Sequence, residues 1–272
     1  MNQHAYYYKL IKFDKGIFDK YIDMVYILTM ENSKRVTHYM TQLNKYKPLK
    51  NILIQYNKGF KKCNKKLFKQ NTIYDLNDAY YQAFLNAKNN NYKNIIIFED
   101  DFFFDNININ DINNIGNFIK YNEYHIYHLG TAIHFSIPYT SYHHRTLIAV
   151  ASHGVIYNMN YFDIYINNYN KSLITQNDMF WNKFNIIKYK YYKPICFQIF
   201  EETDNCINWK FSNIGLYFIK LFGINKSHKP GFYILNQLFY FLTLLIIIII
   251  IKIINYCGGR LFLYGIPALL SS

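Results

Sequence analysis

Glycine, cysteine and acidic residues are scarce in this 272-residue chain, which holds 11 Gly, 4 Cys, and 17 Asp and Glu against 30 Lys and Arg. Neither GxGxxG nor GxxxxGK occurs, so any recognition of phosphate falls to side chains and a metal rather than to a glycine loop. Cys63, Cys196, Cys206 and Cys257 form no CxxC and no ligand-like spacing, which excludes the disulfide framework of a small secreted scaffold. Residues Met1 to Asp23 mix Lys, Asp and aromatics without an apolar core, so no signal peptide is expected there. A reducing, cytoplasmic setting for the main domain follows from the two together. No internal repeat is evident.

Tyrosine (29) and phenylalanine (23) are abundant, as are Asn, Ile and Lys, the usage expected of A+T-rich coding. The formal net charge of +13 is scattered and becomes dense only from Lys58 to Lys69. Such a run suits phosphates or an anionic membrane, or is simply a solvated face, and no nucleic-acid partner is expected. Six of the nine histidines fall between His125 and His153, but their spacings match no zinc pattern.

One segment carries chemistry. Asn94-Ile-Ile-Ile-Phe-Glu-Asp-Asp101 is an apolar run of strand length that ends in three acids. Ile95 to Phe98 lack polar alternation and read as a strand buried on both faces. Carboxylates at the carboxyl end of such a strand sit where open α/β sheets bind ligands. Three adjacent like charges repel unless a cation compensates them, and hard oxygen donors suit Mg²⁺ or Mn²⁺. Glu99-Asp100-Asp101 therefore reads as a metal site facing a phosphorylated substrate, with a solvated acidic turn as the simpler alternative.

The surroundings alternate strand and helix. Met24 to Thr29 reads as a strand, and Asn32 or Ser33 caps a helix with Val36, Tyr39, Met40 and Leu43 on its apolar face. Asn51 to Tyr56 is a second strand, and Asp75 or Asn77 caps a helix carrying Ala79, Tyr80, Ala83, Phe84 and Ala87. This β-α-β-α-β order predicts an α/β fold with a Rossmann-like, mostly parallel sheet and flanking helices. Asp105 to Asn114 reads as a low-complexity loop, Tyr124 to Leu129, Thr146 to Ala151 and Gly154 to Tyr157 as strands, and Tyr161 to Asn167 and Asn177 to Phe184 as helices.

Phe232 to Ile251 carries no charge for 20 residues, enough for a transmembrane helix across about 30 Å of hydrocarbon. Lys220, Lys226 and Lys229 precede it and Lys252 and Arg260 follow, a balance that leans toward a cytoplasmic main domain on a single-pass C-terminal anchor. Ile214, Tyr217, Phe218, Leu221 and Phe222, with Ser212 as a cap, keep the spacing of an amphipathic helix at a membrane surface. The expected division is a catalytic domain over 1–211, a juxtamembrane segment over 212–231, the span over 232–252 and a tail over 253–272.

Val25-Tyr-Ile-Leu28, Asn32-Ser-Lys-Arg35, Ile95 to Asp101, His153-Gly154 through Tyr157, and Asn177-Asp178 together resemble glycosyltransferase family 25. That family includes bacterial lipopolysaccharide and animal collagen galactosyltransferases, and similar enzymes occur in giant DNA viruses, which fits the composition. The resemblance covers roughly Met24 to Phe200. It implies a GT-A fold, a nucleotide-sugar donor with a UDP-hexose favoured, a protein or glycan acceptor, and Mn²⁺ (or Mg²⁺). In similar enzymes the last acid of the triplet binds the metal, which maps to Asp101. The acids before it contact ribose or metal-bound water, which maps to Asp100 and Glu99. The Cys-x-x-Ser-His-type segment of many members is absent, and Asp75 to Ala79 stands in its place.

Other residues have two readings each. Arg35, in a predicted first helical turn where the macrodipole disfavours a cation, is explained if it reaches an anion, either a donor diphosphate or a sheet-edge acid. Asp178 is the candidate general base of an inverting transfer, or the N-cap of the following helix. His153 lines the donor pocket or completes a metal shell. Gly154 lets backbone approach the donor sugar or serves a turn. Trp181 stacks on sugar or packs in the core, and Gln198 or Glu202 closes the acceptor side or belongs to a surface loop. The competing functions are a metal-dependent phosphodiesterase using the same acids and a non-catalytic, basic, membrane-anchored scaffold.

Overall fold

The structure is a computed structural model that describes residues 5–105, 107–183, 185–199, 217, 220–224 and 228–265. Its first half follows the apolar patterning. After an edge strand β1 (Tyr6–Lys12) come β2 (Met24–Met30), α1 (Val36–Tyr46), β3 (Asn51–Asn57), α2 (Thr72–Asn89) and β4 (Asn94–Glu99). Strands β3, β2 and β4 are parallel, with Val25 opposite Ile52 and Met24 opposite Ile95. Ile95, Ile96, Ile97 and Phe98 are all buried, at 0–1% exposure, because helices cover both faces of the strand. Tyr39 and Leu43 of α1 pack with Val25, Ile27, Ile96 and Phe98 on one face. Ala79, Ala83, Phe84 and Ala87 of α2 pack with Tyr26, Leu28, Ile95 and Ile97 on the other. Fully burying one such side chain is worth about 1.5–3 kcal/mol, so these two clusters hold the sheet.

The chain leaves β2 for β3 through α1, then returns past β2 to β4 through α2. That reversal creates a switch point at the carboxyl ends of β2 and β4, which is where the three acids stand.

The second half is less regular. It contains β5 (Phe102–Phe104), α3 (Ile109–Tyr121), β6 (Ile126–His128), β7 (Thr131–Pro138), β8 (His143–Ser152), β9 (Val155–Asn158), α4 (Met159–Asn170), α5 (Asn177–Phe180), β10 (Lys188–Tyr191), β11 (Cys196–Gln198) and α6 (His228–Gly265). Nine strands form one sheet in the order β1-β3-β2-β4-β9-β6-β10-β8-β7, while β5 and β11 pair separately. Beyond the parallel β3-β2-β4 unit only β6 and β10 run parallel, so the sheet as a whole is mixed.

Three local expectations differ from what forms. Helix α3 occupies much of the tract read as a loop: Asn108 caps it by accepting from Asn110 N at 2.9 Å, and Ile112, Ile115 and Ile119 bury one face. The Asn-rich composition lowers intrinsic propensity, but burial of that stripe overrides it. Helix α2 begins earlier than expected, with Asn71 as cap accepting from Tyr74 N at 3.0 Å. Helix α5 is one turn, ending at Phe180, and Phe184 lies outside the described residues.

Helix α6 is longer than the expected span, and Pro230–Tyr256 is long and apolar enough, by length and composition, to cross a membrane. Its start belongs to the domain. Phe232 and Leu235 join Ala132, Phe197 and Ile224 in a small buried cluster, and Asn236 and Thr243 are buried as well. From Leu244 to Tyr256 the helix is exposed apart from half-buried Ile247. Within the expected juxtamembrane segment, Tyr217 and Leu221 are exposed and Phe222 packs against the same small cluster, while Ser212, Ile214 and Phe218 lie outside the described residues.

Candidate active site at the carboxyl end of β4

The three acids diverge. Asp100 turns toward the end of β2 and the start of α1, where Thr29 Oγ1 and Ser33 Oγ donate to its Oδ2 at 2.7 and 2.6 Å. Arg35 Nη1 meets its Oδ1 at 3.1 Å. Arg35 occupies the N-cap position of α1, just ahead of the first turn, and the anion it reaches here is this sheet-edge acid. With three donors on its two oxygens, Asp100 braces β2, α1 and β4 together.

Glu99 and Asp101 point the other way. Tyr80 of α2 donates to Glu99 Oε1 at 3.1 Å. Gln198 of β11 donates to Asp101 Oδ2 at 2.7 Å, and Ile199 N donates to the Asp101 carbonyl at 2.9 Å. Asp178 joins from α5. Its Oδ2 accepts from Ala151 N at 2.7 Å, whereas the N-cap position of α5 is Gln176. Ala151 has φ +52°, a left-handed conformation rare without glycine, and the Asp178 carboxylate helps hold it.

These carboxyls share one electrostatic problem. Burial first, then Asp101 and Asp178, raise the Glu99 pKa far above the usual carboxylate range. Burial likewise raises Asp101, with a smaller push from Asp100, opposed by the Gln198 hydrogen bond and by the charge of Arg35. Asp178 is pushed up to about 6 by burial, against the lowering effect of the Ala151 amide. Among the described residues no Lys or Arg lies within ion-pair distance of Glu99, Asp101 or Asp178.

Glu99, Asp101, Tyr80, Ser152, His153 and Gln198 line a cavity about large enough for one ion or water molecule. Ser152 Oγ is buried without a hydrogen-bond partner among the described residues, so the wall carries an unused polar atom. His153 is buried there with its ring edge-on to Phe232, the root of α6. Gly154 has φ +62°, and a Cβ on it would stand 2.5 Å from Phe98 Cε1 and 2.8 Å from Cys196 Sγ. Both its turn and its packing require glycine at that position.

Oxygen donors with raised pKa values and an unpartnered hydroxyl fit a hard divalent cation. No three His, Cys, Asp or Glu side chains among the described residues form a complete metal cage. Glu99 and Asp101 are the two carboxylates on the cavity wall that could share Mg²⁺ or Mn²⁺ with phosphate oxygens and water.

Several candidates serve elsewhere. Trp181 is buried, donates from Nε1 to the Ala149 carbonyl at 3.0 Å and meets His128 edge-on, which is a core role. His125 Nδ1 accepts from Ile187 N at 2.9 Å. Glu202 lies outside the described residues. Tyr80 and Ser152 were not expected in the site. Tyr80 shares the helical spacing of Ala83 and Phe84 and reads as core, and no motif surrounds Ser152. No protein-family model and no curated protein matches this chain.

Proposed function

We propose that this protein is a metal-dependent glycosyltransferase of GT-A type. It moves a hexose from a nucleotide-sugar donor, a UDP-sugar above all, to a protein or glycan hydroxyl while α6 anchors it to a membrane. The observation that carries this reading is the trio of buried Asp101 and half-buried Glu99 and Asp178, at the switch point of a parallel β3-β2-β4 unit, with raised pKa values and no Lys or Arg in ion-pair contact among the described residues.

In this reading Asp101, with Glu99 beside it, holds the metal end of the site, and Gln198 and Tyr80 orient the two carboxylates. Mn²⁺ or Mg²⁺, when bound, neutralises the diphosphate leaving group as a Lewis acid. Asp178 takes the acceptor hydroxyl proton, and a carboxyl pushed up to about 6 is a stronger base than one in water. Asp100 and Arg35 keep the ends of β2 and β4 in register, and His153 and Gly154 form the wall facing the donor. An inverting outcome follows from a single base acting opposite the leaving group.

The test uses the full chain in detergent, because Phe232, Leu235 and Asn236 complete the domain and a cut at Lys229 would strip them. Calorimetric titration with UDP-hexoses should show binding that requires Mn²⁺ and disappears in Asp101→Asn, while the unfolding midpoint is kept. A folded chain that binds no nucleotide sugar in the presence of Mn²⁺ would refute the assignment and favour the binding-scaffold alternative.

A further inference from the structure

The start of α6 is fastened to the sheet by a buried polar group as well as by apolar packing. Lys190 Nζ on β10 donates to Asn236 Oδ1 at 2.5 Å and Tyr240 OH at 2.9 Å, and His134 Nε2 lies 3.1 Å from the same Asn236 oxygen. Tyr240 OH in turn donates to the Tyr192 carbonyl at 2.9 Å. Breaking this contact would leave Lys190 buried and unpaired, so the helix root stays docked.

That docking fixes how deep the domain sits. Were the hydrocarbon to begin where the helix leaves the sheet, at Leu244, Lys252 would lie about 12 Å inside it at 1.5 Å per residue. A lysine near the bilayer centre costs about 2.5–3.5 kcal/mol. With the boundary at Phe232 instead, Lys252 falls about 30 Å further along and reaches the opposite interface. The charge-free run thus begins within the docked half of α6, which brings the sheet edge beside it to the membrane boundary.

The surface there suits lipid. Ile234, Leu238 and Phe241 are exposed on the outward stripe of the docked half. Edge strand β7 pairs with β8 so that Ile133 and Phe135 share a face with Val150 and Ile148, and Ile133, Leu147 and Ile148 are exposed. Phe135 meets Phe239 of α6 with ring centroids 6.1 Å apart, joining the two apolar surfaces. At the hairpin tip Tyr139 and Tyr142 are exposed as well. An apolar edge hairpin left in water is an aggregation hazard.

We propose that the open face of the β7–β8 hairpin and the outward stripe of α6 form one lipid-contacting surface that seats the domain in the bilayer interface. The inference rests on α6 being the anchor. The test places a single added tryptophan in the full chain, reconstituted in phosphatidylcholine vesicles whose acyl chains carry bromine, with the parent's Trp181 and Trp209 as background. Ile249→Trp reports the anchor, Ile148→Trp and Leu147→Trp report the hairpin, and Leu10→Trp is the control on the opposite edge of the sheet. Strong quenching at 249, clear quenching and a blue shift at 148 and 147, and none at 10 are expected. Quenching at 249 without quenching at 148 and 147 would overturn the seating alone. No quenching at 249 would overturn the anchor and the seating with it.

Discussion

Helix α2 touches two groups of buried and half-buried carboxylates, and the fold treats them oppositely. At its first turns, Asp75 and Asp78 surround Lys65, whose Nζ lies 2.6 Å from Asp75 Oδ1 and 3.5 Å from Asp78 Oδ2. Tyr6 OH donates to Asp78 at 2.6 Å, Tyr169 OH donates to it at 2.8 Å, and Phe60 N donates to Asp75 at 3.1 Å. Two residues beyond Asp78, Tyr80 serves Glu99, which shares its surroundings with Asp101 and Asp178, and no Lys or Arg among the described residues forms an ion pair with any of the three. The first group is complete within the chain. The second keeps raised proton affinity, and a cation from outside would relieve it. Burying an acid is expensive in both places, so a group left uncompensated is the better candidate for function.

The comparison breaks most visibly at Lys65. Lys65→Met should cost about 3–5 kcal/mol in urea unfolding, since it strands two buried carboxylates, and Mn²⁺ should not restore the loss. At the other group the metal itself is the probe. Saturating Mn²⁺ at about 100 times its dissociation constant should stabilise the parent by about 2.7 kcal/mol and leave Asp101→Asn unmoved in thermal unfolding. Equal effects on both proteins would remove the distinction between the groups.

A smaller effect concerns pH. Asp178 titrates near 6 when folded, above its ordinary 3.8, so the folded chain holds the proton more tightly than the unfolded one. The associated stability is fully present below pH 4 and is lost as pH rises through about 6. Asp178→Asn should flatten this stretch of the stability profile by about 1–2 kcal/mol, read from unfolding midpoints between pH 4 and 7. Glu99→Gln should also raise stability near neutral pH, since folding then no longer requires this side chain to take up a proton. A decrease there would mean that the Glu99 charge is already compensated.

The first half of the fold was legible in the chain because its strands are continuous apolar runs and its helices repeat apolar residues every three to four positions. Strand β1 was not, since it is an edge strand with most of its residues exposed. Helix α3 was hidden in a tract of Asn and Ile whose propensity argues against what its buried stripe achieves. At the site, Glu99, Asp100 and Asp101 announce themselves by adjacency, and Asp178 was singled out from its local segment. Neither signal separates Asp100, which braces β2 and α1, from Asp101, which faces the cavity.

Lys65 teaches the same point, being one member of a basic run that reads as solvated and yet 1% exposed in the fold. Local spacing alone determined the strands and helices of the β2-α1-β3-α2-β4 unit, that acids end a buried strand, and that one helix is apolar enough to enter a membrane, because each depends on neighbours within a few turns of chain. Tertiary structure decided which acids receive a cation and which do not, that Asp178 stands near Glu99, and that Asn236 and Tyr240 of α6 satisfy Lys190. Those outcomes depend on partners brought together from distant segments, and in a low-dielectric interior it is the partner that sets the energy of a charge.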